Sequence, residues 1–189
     1  QQALVDMVRH FAAESLAPHA AEWDEKHHFP LETLRAAGEL GMGAMYSRDD
    51  FGGSALSRAD SVLIFEELAK GDTTIAAYIS IHNMVAWMID TYGSDAQREE
   101  WIPKLATMEH LGSYCLTEPG AGSDAAALST RANRDGDDYV INGTKQFISG
   151  AGTSAIYVVM ARTADTGSRG VSAILVPDGT PGLSFGPLE

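Results

Sequence analysis

The sequence predicts an α+β protein in which an all-α, helical amino-terminal domain precedes an antiparallel β-barrel or β-sandwich domain. Up to about residue 110, apolar residues recur at helical spacing and helix-capping residues separate the runs. From residue 114 onward, short runs rich in β-branched and aromatic residues alternate with glycine turns, which is typical of antiparallel strands. The change falls at 107–113. We therefore expect domains over 1–112 and 113–189.

Composition excludes several classes of protein. The 189 residues are 44% hydrophobic and 21% charged, which is typical of a folded globular chain. A net charge of −13 disfavours nucleic-acid binding, because phosphate backbones are also negative. The single cysteine, Cys115, excludes an intrachain disulfide framework and a multi-cysteine metal site. No apolar stretch reaches the roughly 20 residues that a membrane-spanning helix needs.

The amino-terminal half predicts five helices. The first begins near Leu4, and Pro18 should kink or end it. The second should cover 31–40 and end at Gly41. Three more follow, and each of them begins at a capping residue.

The caps of these three helices are explicit in the sequence. A capping box formed by Ser57 and Asp60 should begin the third helix, and one face of that helix should consist of Val62, Phe65 and Ala69.

The fourth and fifth helices also begin at predicted capping residues. Asp72 should cap a long apolar helix that ends at Gly93. Ser94 with Gln97 forms a second capping box, which begins the fifth helix.

The carboxy-terminal half predicts short strands separated by turns. After a strand near Tyr114, the strands are expected at 139–141, 145–148, 155–160 and 171–176. The pair Asn142-Gly143 is the strongest hairpin signal in the chain, because this dipeptide favours a two-residue turn.

Residues 114–124 carry the first candidate site. Tyr114, Leu116 and Thr117 would offer an apolar face and one hydroxyl, and the glycines that follow, with Ser123, could approach an anion closely. A flat heteroaromatic group carrying a pyrophosphate would use this combination. An ordinary strand, Pro-Gly turn and helix cap would explain the same residues.

A dinucleotide-binding fingerprint is a second alternative for this segment. The spacing from Gly120 to Ala125 matches G-x-G-x-x-A. However, Glu118-Pro119 stand between the strand and the glycines, and a hairpin rather than a parallel strand is expected next. The sequence context therefore disfavours a Rossmann fold.

Residues 142–150 carry the second candidate site. If 145–149 is a strand, Phe147 and Ser149 share one face, because alternate residues of a strand point the same way. An aromatic ring and a hydroxyl on one face could contact a ring system. Taken alone, the pair is better explained as an ordinary core residue and a strand-end residue.

Together, the two segments closely resemble the acyl-CoA dehydrogenase family. The resemblance extends over the whole chain, and its other landmarks occur in the family's order: Phe29-Pro30, Phe51-Gly52-Gly53, 66–69 and Gly93-Ser94. Residues 21–24, 78–84 and 180–185 resemble more specifically the members that act on short branched thioesters such as isobutyryl-CoA, in valine breakdown.

The resemblance implies an FAD site and part of an acyl-CoA site. The implied FAD-binding residues are Tyr114, Cys115, Leu116, Thr117, Gly122, Ser123, Phe147, Ile148 and Ser149. The implied substrate-binding residues are Ser123, Ser80, Ile81 and Met84. The family usually has Trp and Thr where Phe147 and Ser149 stand. A phenyl ring keeps the stacking surface but lacks the indole N–H, so the resemblance implies flavin binding more firmly than contact with the electron acceptor.

The reaction implied is α,β-dehydrogenation of an acyl-CoA, with hydride transfer to flavin and electron-transferring flavoprotein as the acceptor. The family's catalytic base lies on a carboxy-terminal four-helix bundle that is absent from these 189 residues, as are the main homotetramer contacts. No catalytic residue is therefore expected within 1–189, Glu118 included, and the isolated fragment is expected to be inactive.

Other functions stay open at this stage. An acyl-CoA oxidase or a related flavin enzyme would have a similar amino-terminal half, and a two-domain binding or assembly module would need no base. No metal site is expected, since His27 and His28 are better explained as a surface turn. With no visible targeting signal, the expected location is the cytoplasm of a bacterium or the mitochondrial matrix of a eukaryote.

Overall fold

The computed structural model describes residues 1–187 and divides the chain into two compact units, Gln1–His110 and a second unit that begins at Leu111. The first unit is helical and the second contains all the described strands. The predicted order, helical domain followed by β domain, is confirmed.

The helical unit contains six α-helices. They are α1 (Gln2–Phe11), α2 (Ala20–Lys26), α3 (Leu31–Glu39), α4 (Arg58–Gly71), α5 (Thr73–Tyr92) and α6 (Asp95–Ala106). The prediction of five was wrong because α2 is a separate helix. A π-helical turn, Ala12–Leu16, continues α1, and α2 begins only after Pro18, which cannot donate a hydrogen bond to the preceding turn.

The predicted caps are confirmed. Ser57 and Asp60 form a reciprocal capping box at the start of α4, and Ser94 and Gln97 form another at α6. The Asp72 carboxylate accepts hydrogen bonds from the first backbone N–H groups of α5. Each cap satisfies donors that a helix leaves unpaired at its amino end.

The buried face of α4 differs from the predicted one. Val62 is 63% exposed, and the apolar residues in the core are Ile64 and Leu68. Glu67 is also buried, because Arg9 and Lys70 neutralise its carboxylate at 3.1 and 2.8 Å. The apolar pattern alone predicted the wrong face of α4, because the face that is buried also carries the ion-paired carboxylate of Glu67.

Two buried polar residues fix α5 within the helical unit. The Asn83 side chain accepts from the backbone N–H of Met45 and donates to the carbonyl of Met42, both at 2.7 Å. The Nε2 atom of His82 lies 2.9 Å from the Leu105 carbonyl of α6. The long helix is therefore attached both to the loop after α3 and to α6.

The β unit is one five-stranded sheet. Its strands are β1 (Gly112–Cys115), β2 (Arg131–Asp135), β3 (Asp138–Asn142), β4 (Ile156–Arg162) and β5 (Val171–Pro177). β4 pairs with β1 in parallel and with β5 antiparallel, while β2 and β3 form an antiparallel hairpin. β2 meets β4 in parallel at one residue pair, Arg131 and Arg162.

The sheet is thus mixed rather than purely antiparallel. Parallel neighbours need a long connection, because the chain must return to the end of the sheet at which the first strand began. The chain between β1 and β4, which includes the β2–β3 hairpin, is long enough to do so. Expectation and structure agree for the strands at 139–141, 155–160 and 171–176, which correspond to β3, β4 and β5.

Two local predictions in the β unit were wrong. The hairpin turn lies at Asp135–Asp138, where Gly136 supplies a positive φ of 62°, and not at Asn142-Gly143. Residues 145–148 form no strand: the backbone bends at Phe147, whose φ is +56°.

Candidate functional site

Residues 113–117 and 145–149, here called the paired segments, lie side by side. The backbone N–H of Gln146 donates to the carbonyl of Thr117 at 2.9 Å. Although 145–149 is irregular, it follows the end of β1 closely enough to share hydrogen bonds with it. The two candidate sites of the sequence therefore form one surface.

Side chains fasten the paired segments at two further points. The hydroxyl of Ser113 donates to the carbonyl of Ser149 at 2.6 Å, and the ammonium of Lys145 donates to the carbonyl of Leu116 at 2.9 Å. The order of these contacts shows that the segments run in opposite directions. The irregular segment is consequently held at both ends.

One face of the paired segments belongs to the core of the β unit. Cys115 is buried and forms a cluster with Tyr157 and Val176, and Ile148 packs against that cluster. Burial raises the pKa of the Cys115 thiol to about 12, so the thiol is protonated at neutral pH. The side chains of Cys115 and Ile148 serve the core, and only their backbones reach the outer face.

Four other residues of the paired segments are partly or largely exposed to solvent. Tyr114, Leu116 and Thr117 are half-buried, and burial raises the pKa of the Tyr114 phenol. Phe147 is 72% exposed, which is unusual for a large apolar side chain. Because Phe147 adopts a left-handed φ, the alternation of a strand does not apply, and the predicted shared strand face with Ser149 is not formed.

The glycine-containing loop follows β1 directly. The backbone groups of Glu118 and Ala121 exchange two hydrogen bonds, at 3.1 and 3.0 Å, and close a tight turn. Gly122 and Ser123 follow on the surface, and a Cβ placed on Gly122 would meet no atom within 4 Å. The backbone is thus accessible to a ligand here. The next element is a single 3-10 turn and not a long helix, so no βαβ unit is formed.

Glu118 is buried, and both oxygens of its carboxylate accept hydrogen bonds. Its carboxylate accepts hydrogen bonds from the backbone N–H and hydroxyl of Ser129 at 2.6 and 2.8 Å, from the Thr130 N–H at 2.9 Å and from the Lys145 ammonium at 2.8 Å. Burial opposes ionisation, but these hydrogen bonds outweigh it and hold the pKa of Glu118 well below its usual range. Glu118 anchors the loop and is unsuited to accept a proton at neutral pH.

Sequence reasoning missed the roles of Lys145 and Arg162. Lys145 lies within the second candidate site, but nothing in the sequence indicates that its side chain reaches Leu116 and Glu118. Arg162, at the end of β4, donates to the carbonyls of Ala126 and Gly167 at 2.8 and 2.9 Å. Its position after an apolar strand was the only available signal.

Arg162 holds one wall of a cavity of about 260 Å³. The cavity is lined by Leu116, Leu128, Met160 and Val171 among others, so it lies within the β unit and borders the end of β1. The lining is mostly apolar, with Ser168 at its edge.

Comparison with known proteins identifies the chain's relatives. Residues 1–109 match the family model "Acyl-CoA dehydrogenase, N-terminal domain", and residues 113–189 match "Acyl-CoA dehydrogenase, middle domain". This chain belongs to the acyl-CoA dehydrogenase family. The resemblance inferred from the sequence is confirmed, and the Rossmann alternative is excluded.

Relatives of known name are closely similar to this acyl-CoA dehydrogenase chain. It is 56% identical to the mitochondrial isobutyryl-CoA dehydrogenase of Bos taurus over 95% of the chain and 43% of that protein. It is 52% identical to the mitochondrial isobutyryl-CoA dehydrogenase of Dictyostelium discoideum, covering 100% of the chain and 46% of that protein. The chain therefore spans about half the length of these relatives.

A solved structure confirms the fold. The butyryl-CoA dehydrogenase of Megasphaera elsdenii superposes with a TM-score of 0.91 at 34% identity, over 100% of this chain and 51% of that one. The mixed sheet and the preceding helices are therefore the acyl-CoA dehydrogenase fold.

Acyl-CoA dehydrogenases use FAD, and the residues of this chain fit that group. The exposed phenyl ring of Phe147 and the half-buried side chains of Tyr114 and Thr117 all belong to the paired segments, and a flat ring system bound there could cover them. The Thr117 hydroxyl has no hydrogen-bond partner among residues 1–187, so it is available to a polar ring atom. The open backbone at Gly122 can approach a pyrophosphate.

The three residues assigned to the acyl pocket lie on α5 of the helical unit. Ser80, Ile81 and Met84 are partly exposed, and they share one face because Ser80 and Ile81 lie four and three residues before Met84. The opposite face of α5, which includes His82 and Ile89, is buried. The three side chains are thus on the face of α5 that the helical unit leaves accessible.

No metal centre or membrane span is found within 1–187. These residues contain no group of three His, Cys, Asp or Glu side chains that could hold a metal ion. Their helices include none with the length and apolar character that crossing a bilayer requires.

Proposed function

We propose that the protein containing this chain is an FAD-dependent acyl-CoA dehydrogenase that acts on a short branched acyl-CoA, such as isobutyryl-CoA, in valine catabolism. The observation that carries the proposal is the contact between the paired segments, in which Thr117 binds Gln146, the residue next to Phe147. The degree of identity to two isobutyryl-CoA dehydrogenases favours the branched substrate.

FAD, when bound, supplies the hydride acceptor. Phe147 covers one side of the ring system and Thr117 donates a hydrogen bond to its polar edge. The backbones of Cys115 and Ile148 and the side chains of Tyr114, Leu116 and Ser149 complete the contacts of the paired segments. Ring contacts of this kind add about 0.5–1.5 kcal/mol beyond the buried area.

The glycine loop has a second role in the proposal. The N–H of Gly122 and the hydroxyl of Ser123 bind the pyrophosphate, since both are on the surface and neither is blocked by a neighbouring side chain. Ser123 also contacts the acyl-CoA. Ser80, Ile81 and Met84 contribute to the wall of the acyl pocket.

The catalytic base is proposed to lie outside residues 1–189. Glu118 directly follows the assigned flavin residue Thr117, but Ser129, Thr130 and Lys145 occupy its oxygens and keep it ionised. A base must accept a proton from substrate, which this carboxylate could do only by losing those partners. Residues 1–189 alone are therefore proposed to be inactive.

The remaining partners follow from the same proposal. Electron-transferring flavoprotein is the proposed electron acceptor, and the full-length protein is proposed to form a homotetramer. Its proposed location is the cytoplasm of a bacterium or the mitochondrial matrix of a eukaryote.

The decisive experiment uses the full-length protein, purified and assayed with an artificial electron acceptor. It should be yellow with a flavin spectrum, and turnover should be faster with isobutyryl-CoA than with n-butyryl-CoA. A colourless protein that takes up no FAD would contradict the cofactor proposal. Faster turnover of the straight-chain thioester would contradict only the substrate, and appreciable turnover by residues 1–189 alone would contradict the location of the base.

A further inference from the structure

One buried ion pair joins the paired segments. The Lys145 ammonium and the Glu118 carboxylate lie 2.8 Å apart, with side chains 11% and 4% exposed. The same ammonium donates to the Leu116 carbonyl at 2.9 Å. A buried ammonium is tolerated only where charged and hydrogen-bonded partners compensate for the loss of water. The carbonyl of Leu116 and the carboxylate of Glu118 therefore hold the Lys145 ammonium in one position.

Glu118 extends the connection to a third stretch of chain. Its second oxygen accepts from the backbone N–H of Ser129 at 2.6 Å, and the oxygen that binds Lys145 also accepts from the N–H of Thr130 at 2.9 Å. The ion pair therefore connects three stretches of the chain: the residues after β1, the residues before β2 and the segment after β3.

Phe147 is the residue whose backbone geometry depends on this ion pair. Its φ of +56° is unusual for an aromatic residue and persists only where neighbouring contacts impose it. Lys145 and Gln146 are anchored just before it, and the carbonyl of Ser149 is anchored just after it. Phe147 itself is largely exposed, so its backbone is held by these anchors and by the packing of the adjacent Ile148 rather than by its own ring.

We propose that Lys145 is a positioning residue for the flavin site. By binding the Leu116 carbonyl and the Glu118 carboxylate together, it fixes residues 145–149 against β1 and holds the Phe147 ring where it can cover the flavin. Lys145 acts through Phe147 and through the backbone, without touching the flavin. The inference rests on the proposed function, since it assigns the ring of Phe147 to the flavin.

The test compares three variants in the full-length protein, each prepared without flavin and then titrated with FAD. Lys145→Met removes the ammonium but keeps a similar chain length. Glu118→Gln/Lys145→Met removes both charges, so no unpaired charge stays buried. Arg131→Met is the matched control, because it breaks an ion pair of 2.7 Å with Asp165 in the same unit, at an exposed site.

Three quantities are measured: the FAD dissociation constant, the visible circular dichroism of the bound flavin, and hydrogen exchange of residues 143–150 in the flavin-free protein. We expect Lys145→Met and the double variant to weaken FAD binding about tenfold or more. We also expect them to alter the flavin dichroism and to speed exchange in 143–150. The thermal midpoint of the flavin-free double variant should stay close to that of the parent and of Arg131→Met.

The outcomes separate this inference from the proposed function. If FAD affinity, dichroism and exchange match the parent in both Lys145 variants, Lys145 has no positioning role. If both variants simply unfold, its role is general stability and the inference is overturned. If the parent binds no FAD, the proposed function fails, and with it the assignment of Phe147 to the flavin. Exchange in 143–150 then still decides whether Lys145 fixes this segment.

Discussion

The hydroxyl of Ser113 donates a hydrogen bond to the carbonyl of Ser149 across 2.6 Å, inside the β unit. Ser113 is fully buried, and its oxygen also lies 2.8 Å from the hydroxyl of Ser154. Since Ser113 has one O–H and gives it to Ser149, the Ser154 hydroxyl must be the donor in the second contact. The hydroxyls of Ser113 and Ser154 therefore hold the paired segments together at Ser149, while Lys145 holds them together at Leu116.

Phe147→Gly and Phe147→Ala should separate stability from flavin binding. A left-handed φ suits glycine and strains alanine, so the flavin-free Gly variant should be more stable than the Ala variant by about 1 kcal/mol. Both should bind FAD more weakly than the parent, because the exposed ring is lost. Urea unfolding and FAD titration measure the two effects. Equal stability of the two variants would show that the positive φ is not maintained in solution.

Two glycine substitutions should have opposite consequences. Gly122→Ala adds a methyl group that meets no protein atom within 4 Å, so stability should change by less than about 0.5 kcal/mol while FAD affinity falls. Gly143→Ala places its Cβ 2.7 Å from the Cα of Thr130, so it should destabilise the β unit by about 1–3 kcal/mol. Thermal unfolding of flavin-free protein and FAD titration give the comparison. Unchanged FAD affinity in Gly122→Ala would exclude that backbone from the pyrophosphate site.

His82 should make stability depend on pH. Burial lowers the pKa of His82 from 6.5 to about 4, although hydrogen bonds to Leu105 and Gly43 partly oppose this. The unfolded chain then binds a proton at higher pH than the folded chain does, so stability is lost as pH falls from 6.5 towards 4. The loss amounts to about 3 kcal/mol. His82→Gln should lack this part of the dependence, whatever its stability at pH 7.

Urea unfolding of the parent and of His82→Gln between pH 7 and pH 4 measures this effect. The dependence of stability on pH should be weaker in His82→Gln than in the parent. Equal dependence in the two proteins would mean that His82 is not held neutral by burial.

Arg162→Met should loosen the 3-10 turn that borders the cavity. The guanidinium donates to the carbonyls of Ala126, Leu128 and Gly167, which lose their charged donor in the variant. We expect a loss of about 2 kcal/mol and faster hydrogen exchange near residues 125–128. The exposed Arg131→Met variant should lose less than about 1 kcal/mol. A similar loss in both would show that the backbone carbonyls around Arg162 are readily solvated.

Local signals made most of the helical unit predictable. Ser57 with Asp60, and Ser94 with Gln97, satisfy backbone donors within three residues, so the sequence contains everything that forms the cap. The buried face of α4 was not predictable in this way. Glu67 is buried between Lys70 of the same helix and Arg9 of a different helix, and the contact with Arg9 cannot be predicted from the α4 sequence.

The β unit shows the same limit more clearly. Asp135-Gly136 and Asn142-Gly143 are both good turn sequences, and only the pairing of β2 with β3 decides between them. The bend at Phe147 depends on the contacts of Lys145 with Leu116 and of Ser149 with Ser113, which join residues about thirty or more positions apart in sequence. Motif resemblance supplied the proposed flavin residues, but spacing could not show that Cys115 and Ile148 pack in the core.

The parallel pairing of β1 with β4 has a consequence for synthesis on the ribosome. Among the described strands, β1 pairs only with β4, which the ribosome makes roughly forty residues later. At about 5–20 residues per second, a nascent chain carries β1 without a strand neighbour for several seconds. The helical unit can complete its own contacts during that delay, whereas the pairing of β1 with β4 can be completed only after translation has passed residue 159.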